Sequence, residues 1–66
     1  MYNKIRKIRQ EANLSIKLLS DQMGVSPQAV GKWERGEAYP RAELLPKLAS
    51  VLGCTIDELF DERREG

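Results

Sequence analysis

Histidine is absent from this 66-residue chain, and cysteine occurs once, at Cys54. No disulfide can close within one chain, and no cysteine-rich zinc site can be assembled. Cys54 reads as a small apolar residue at a loop edge, and a lone thiol fits a reducing cytoplasm. Aromatic residues are scarce: one Trp, one Phe and two Tyr. No apolar run approaches the ~20 residues of a membrane span, and no signal-peptide pattern is present. There is no nucleophile with a base beside it, no metal-ligand cluster and no phosphate loop. The carboxylates read as helix-surface charges and a cap. Together these absences exclude an enzyme, a cofactor, a metal, a membrane partner and a small-molecule ligand from the expected functions.

What is present is a single domain over 1–66, with an ordered core at about 3–60 and a charged tail at 61–66. At this size only about 60% of the unfolded surface is buried, so the core is thin and leaves little room for an enzyme pocket. The net charge is only +1, but it is unevenly placed. Residues 1–35 carry seven Lys/Arg and three Asp/Glu, a net +4, whereas residues 36–66 carry four and seven, a net −3. Such a map suggests one anion-facing surface and one that faces elsewhere, although solvated helix faces would also produce it.

Hydrophobic spacing places five helices and no strand. The first runs from about Asn3, as a cap, to Ala12, with Ile5, Ile8 and Ala12 inward. The second is capped by Ser15 and turns Ile16, Leu19, Ser20 and Met23 inward. The third spans about Pro27–Arg35. The fourth ends at Leu52 before Gly53 and carries the stripe Leu44, Leu45, Leu48, Ala49 and Leu52. Pro46 must lie in its first turn, because an interior proline costs about 3 kcal/mol, so regular helix begins near Glu43–Leu45. Thr55 and Glu58 form a capping box that opens the fifth helix, whose apolar side is Ile56, Leu59 and Phe60.

The segment G-V-S-P-Q-A-V-G-K-W-E-R-G, residues 24–36, carries the most information. Gly24 can close one helix in the left-handed conformation, Ser26 can cap the next, and Pro27 suits its first position. Gly36 can end that helix. Two helices joined by a short turn containing Gly form a helix-turn-helix signature. The second of them sets Gln28, Gly31, Lys32 and Arg35 on one face and Val30 and Trp33 on the other, which suits a helix that packs on one side and reads DNA on the other.

These residues, together with Ile8-Arg9, Leu19-Ser20, Ala29-Val30, Pro40, Lys47-Leu48-Ala49, Leu52 and Asp57-Glu58-Leu59, make the chain resemble the lambda-repressor-like, Cro/CI-type (XRE) helix-turn-helix proteins. The resemblance runs from Ile5 to Phe60. It implies an all-α, compact five-helix domain that binds double-stranded operator DNA, usually as a homodimer, and usually represses transcription. Under that reading Gln28 pairs with an adenine edge, and Lys32 with guanine or a phosphate. Pro27 starts the helix or touches a thymine methyl. Gly31 permits close approach of the backbone to the groove wall, or marks only tolerance.

Backbone contacts are expected from Ser15 and Ser26 at helix N-termini, and from Lys17, Arg35, Arg41, Arg9 and Trp33. Trp33 is expected to serve first as core. Arg9 and Glu34 match a family pair that bridges the first helix to the end of the third. Ile56, Leu59 and Phe60, with Leu52 or Cys54 beside them, form the expected dimer seam, although some of them must also close the monomer core. Two positions depart from the family pattern: Ile16 replaces a polar residue near a phosphate, and Leu18 falls off the inward stripe. The alternative is a protein-interaction module of antitoxin or anti-repressor type that uses the acidic C-terminal half.

Overall fold

Local chemistry sets where each helix starts and stops. The computed structural model describes residues 3–60. Within them lie α1 (Ile5–Glu11), α2 (Ile16–Met23), α3 (Pro27–Arg35), a 3₁₀ turn (Ala42–Leu44), α4 (Leu45–Leu52) and α5 (Ile56–Leu59), and no strand. The charged tail at 61–66 lies outside the described residues. The Ser15 hydroxyl accepts from the Leu18 amide at 3.0 Å, and the Ser26 hydroxyl from the Ala29 amide at 3.2 Å. Gly24 and Gly36 close α2 and α3 at φ 72° and 76°, a conformation that costs other residues about 1 kcal/mol or more. Pro46 occupies the first turn of α4. At Thr55 the capping box is complete: its amide donates to Glu58 Oε1 at 2.8 Å, and its hydroxyl accepts from the Glu58 amide at 3.1 Å.

The first helix differs from the sequence-based expectation. Its N-cap is Lys4, not Asn3. The Lys4 amide donates to the Leu59 carbonyl at 2.8 Å, a tertiary bond that holds the chain out of the helix until Ile5. Asn3 is nonetheless engaged. Its Oδ1 accepts from the Ile5 amide, and its Nδ2 donates to the Trp33 carbonyl at 2.8 Å.

The apolar stripes converge on one core of Ile5, Leu19, Met23, Val30, Trp33, Leu48, Ala49, Leu52 and Leu59. Ser20 is fully buried among them and satisfies its hydroxyl by donating to the Lys17 carbonyl at 2.7 Å. Leu59 is completely inaccessible and Leu52 nearly so. Both therefore leave the expected dimer seam, because in α5 the core claims Leu59 first. Ile56 stays exposed, and Phe60 packs edge-on against the exposed ring of Tyr39 at 5.4 Å between centroids.

Replacing Ser26 with Ala removes the hydroxyl partner of the Ala29 amide and leaves it only the bond to the Ser26 carbonyl at 3.1 Å. The expected loss is about 1 kcal/mol of unfolding free energy, measured by urea denaturation.

Candidate nucleic-acid interface

α3 is amphipathic in space as well as in sequence. Val30 and Trp33 are buried against the core, while Pro27, Gln28, Lys32 and Arg35 lie exposed on the outside. The helix is held at both ends. At its start the Ser26 cap follows the α2–α3 turn, where the Val25 amide donates to the Ser20 carbonyl at 3.0 Å. At its end the Glu37 amide returns to the Lys32 carbonyl at 2.9 Å past left-handed Gly36.

A third tether comes from α1. Arg9 Nε donates to Glu34 Oε2, Nη2 to Oε1 at 3.4 Å, and Nη1 to the Leu14 carbonyl at 2.7 Å. The two side chains are only 9% and 5% exposed. The pair fixes the rotation of α3 against α1. All three of Arg9's guanidinium nitrogens are engaged inside the protein, and only the exposed 9% of its side chain is left for the backbone contact expected of it. Trp33, 5% exposed, is core, as expected of it first. Its carbonyl takes the Asn3 bond.

Three further cations stand in solvent beside carboxylates. Lys17 Nζ meets Asp21 Oδ2 at 2.9 Å, Arg35 Nε meets Glu37 Oε2 at 2.9 Å, and Arg41 Nε lies 3.8 Å from Glu43. Exposed pairs of this kind contribute about 0–1 kcal/mol each, so the cations can be exchanged onto a stronger anion at little cost. Hydrogen bonding to Glu37, followed by its charge, raises the Arg35 pKa, and the same bond and charge lower that of Glu37. Lys32 makes no ion pair among the described residues. The exposed N-termini of α2 and α3 add two ends with positive dipoles.

Of the two readings of Gly31, close backbone approach or mere tolerance, the first would need a bare patch, and Gly31 does not present one. It is buried, because the Arg35 guanidinium lies across it; a Cβ on Gly31 would sit 3.1 Å from Nη1. The bond between Glu37 and Arg35 escaped the sequence reading, and its only trace there is the Arg-x-Glu spacing across Gly36. Leu18 is 43% exposed on the outer side of α2, as its place off the stripe implied.

Away from α3, a groove of about 560 Å³ runs between α1 and the α4–α5 corner, lined by Lys4, Lys7, Ile8, Leu52, Cys54 and Glu58 among others. Burial, and then the charge of Glu58, raises the Cys54 pKa, which keeps the thiol protonated. No metal-binding cluster occurs among the described residues, and no described helix is long and apolar enough to cross a membrane.

A helix-turn-helix family model matches residues 5–59. The chain is 39% identical over 57 residues to the HTH-type transcriptional activator BcrR of Enterococcus faecalis, covering 86% of this chain and 28% of that protein. It is 36% identical over 60 residues to repressor protein C2 of Salmonella phage P22, covering 91% and 28%. It is 33% identical to an uncharacterised HTH-type regulator of Methanocaldococcus jannaschii, covering 91% of each chain. The chain thus spans well under half the length of the enterococcal and phage relatives. Among solved structures, the P22 c2 repressor in complex with a synthetic operator superposes with a TM-score of 0.83 at 33% identity, covering 91% of both chains.

Proposed function

This chain belongs to the Cro/CI-type helix-turn-helix family, and we propose that it is a sequence-specific regulator that docks α3 in the major groove of double-stranded operator DNA. The observation that carries this reading is the outward face of α3. Gln28 and Lys32 stand in solvent on a helix locked from behind by the buried Arg9–Glu34 pair. A locked helix pre-organises its reading groups, so little ordering entropy is lost on binding.

Gln28, in the first turn, pairs its amide with the N6/N7 edge of adenine, and Lys32 reaches guanine or a phosphate one turn on. Pro27 serves first to start the helix, and its ring, exposed on the reading face, is the candidate for contact with a thymine methyl. The backbone is gripped by the N-termini at Ser15 and Ser26 and by Lys17 and Arg41, which set register rather than sequence. α2 lies across the backbone, and the bound protein blocks the promoter by occlusion, which makes it a repressor. A two-fold dimer reads half-sites about 34 Å apart, with Ile56, Phe60 and Tyr39 as the apolar surface left for the second copy.

Selection of bound duplexes from a random pool, followed by stoichiometry on the winner, tests this reading. The expected result is one palindromic motif bound by two chains. Binding without any enriched motif, or function retained in a Gln28→Ala/Lys32→Ala double variant, would instead favour a protein-interaction role through the acidic half and Leu18. Arg41→Ala is expected to weaken binding to all sequences alike and to reduce the salt slope by about one for each phosphate left without its cation. The check is a set of binding isotherms at several salt concentrations.

A further inference from the structure

The Arg35–Gly31–Glu37 arrangement has a geometry that a simple phosphate contact does not require. Side chains in a helix lean toward its N-terminus, so Arg35 naturally lies back over residue 31, one turn earlier. At most residues a Cβ would hold it off. Here Gly31 has none, and the guanidinium lies down on the helix, with Nη1 3.1 Å and Cζ and Nη2 3.9 Å from where a Cβ would stand.

The guanidinium is also clamped. Glu37 accepts from Nε at 2.9 Å and from Nη2 at 3.2 Å, which takes one whole edge of the fork. Glu37 is itself held, because its backbone is pinned by the left-handed turn at Gly36 and the bond to the Lys32 carbonyl. Arg35, on the same helix face as Gln28 and Lys32, is 58% exposed, and its Nη1 takes no partner among the described residues. A single exposed ion pair contributes little, but a planar fork held on one edge with the other edge presented is pre-organised for bidentate recognition.

Resting on the DNA-docking reading above, we propose that Arg35 is a specificity-determining residue that reads a guanine through O6 and N7, with Gly31 as its seat and Glu37 as its brace. A carboxylate beside a polyanion weakens binding to every sequence, and here it sits where it aims a guanidinium. Arg35 is thereby moved from register-setting to sequence reading. Gly31 serves by seating the guanidinium rather than by bringing bare backbone to the groove.

The test is duplex selection with the wild-type chain and the variants Arg35→Lys, Gly31→Ala and Glu37→Gln, with melting curves on each. Arg35→Lys is expected to lose roughly tenfold discrimination at one G·C pair per half-site. The lysine has no fork but keeps the charge, so the salt slope for an unrelated duplex stays unchanged. Gly31→Ala is expected to lose preference at the same pair while its melting temperature holds or rises. The added methyl meets only the end of a flexible side chain, and alanine favours the helix. Glu37→Gln is expected to lose the same preference while binding unrelated duplexes more tightly.

If all three variants retain the wild-type motif, or if Arg35→Lys and Glu37→Gln change affinity equally for every sequence, Arg35 is a phosphate contact and the inference is overturned while the docking reading stands. A wild-type chain that enriches no sequence overturns both.

Discussion

Glu34→Ala is expected to lower the unfolding free energy by about 3–5 kcal/mol, the cost of leaving a buried charge without its partner. Arg9 is 8% exposed as a residue and cannot swing to water without opening the α1–α3 contact. After truncation of Glu34 it would retain the Leu14 carbonyl as its one remaining partner among the described residues. A domain of this length has roughly 3–10 kcal/mol of stability in total, so the loss removes about a third of it or more. The double variant Arg9→Met/Glu34→Leu is expected to recover most of the loss, because well-packed apolar replacements of a buried pair are often neutral or stabilising. Urea denaturation of the two variants separates the readings. A loss below about 1 kcal/mol for Glu34→Ala would mean that the pair behaves as a surface pair, contrary to its burial.

Gln28→Ala should have the second large effect, on recognition rather than folding. A bidentate amide–adenine contact is worth about 1–3 kcal/mol of discrimination, and the proposed two-fold dimer would lose it in both half-sites, so the expected penalty on the selected operator is about 2–6 kcal/mol. Gln28 is exposed and its side chain makes no hydrogen bond among the described residues, so the melting temperature should stay near wild type. Affinity for unrelated duplexes should barely change, which distinguishes this variant from Arg41→Ala. Competition binding against duplexes altered one base pair at a time checks it. The preference must vanish at one position of each half-site and persist at the others.

Element boundaries were legible in the sequence wherever their cause is local. Ser15, Ser26 and the Thr55–Glu58 pair cap helices through bonds that span three residues. Pro46 could sit only in a first turn, and Gly24 and Gly36 stop helices by their own φ. The Arg9–Glu34 bridge, 25 residues apart in the chain, was reached through resemblance to a family and not through periodicity.

What the sequence concealed was decided by packing. Asn3 suits a cap, yet it reaches the Trp33 carbonyl 30 residues away, and the Lys4–Leu59 bond sets the true start of α1. At the C-terminal end Ile56 and Leu59 of α5 and the following Phe60 look equivalent in pattern. Only the direction from which the core approaches determines that Leu59 is consumed and Ile56 left outside. Gly31 and Arg35 share a helix face in the sequence, but nothing in that spacing reveals that one lies on the other.

The most direct measurement is amide chemical-shift mapping of the isotopically labelled chain during titration with its selected duplex. If α3 sits in the major groove, the largest shifts fall on residues 26–35, with smaller ones at residues 15–18 and 41, and the groove between α1 and Cys54 stays quiet. Large shifts along Lys4, Lys7 and Cys54 with residues 26–35 unmoved would contradict it.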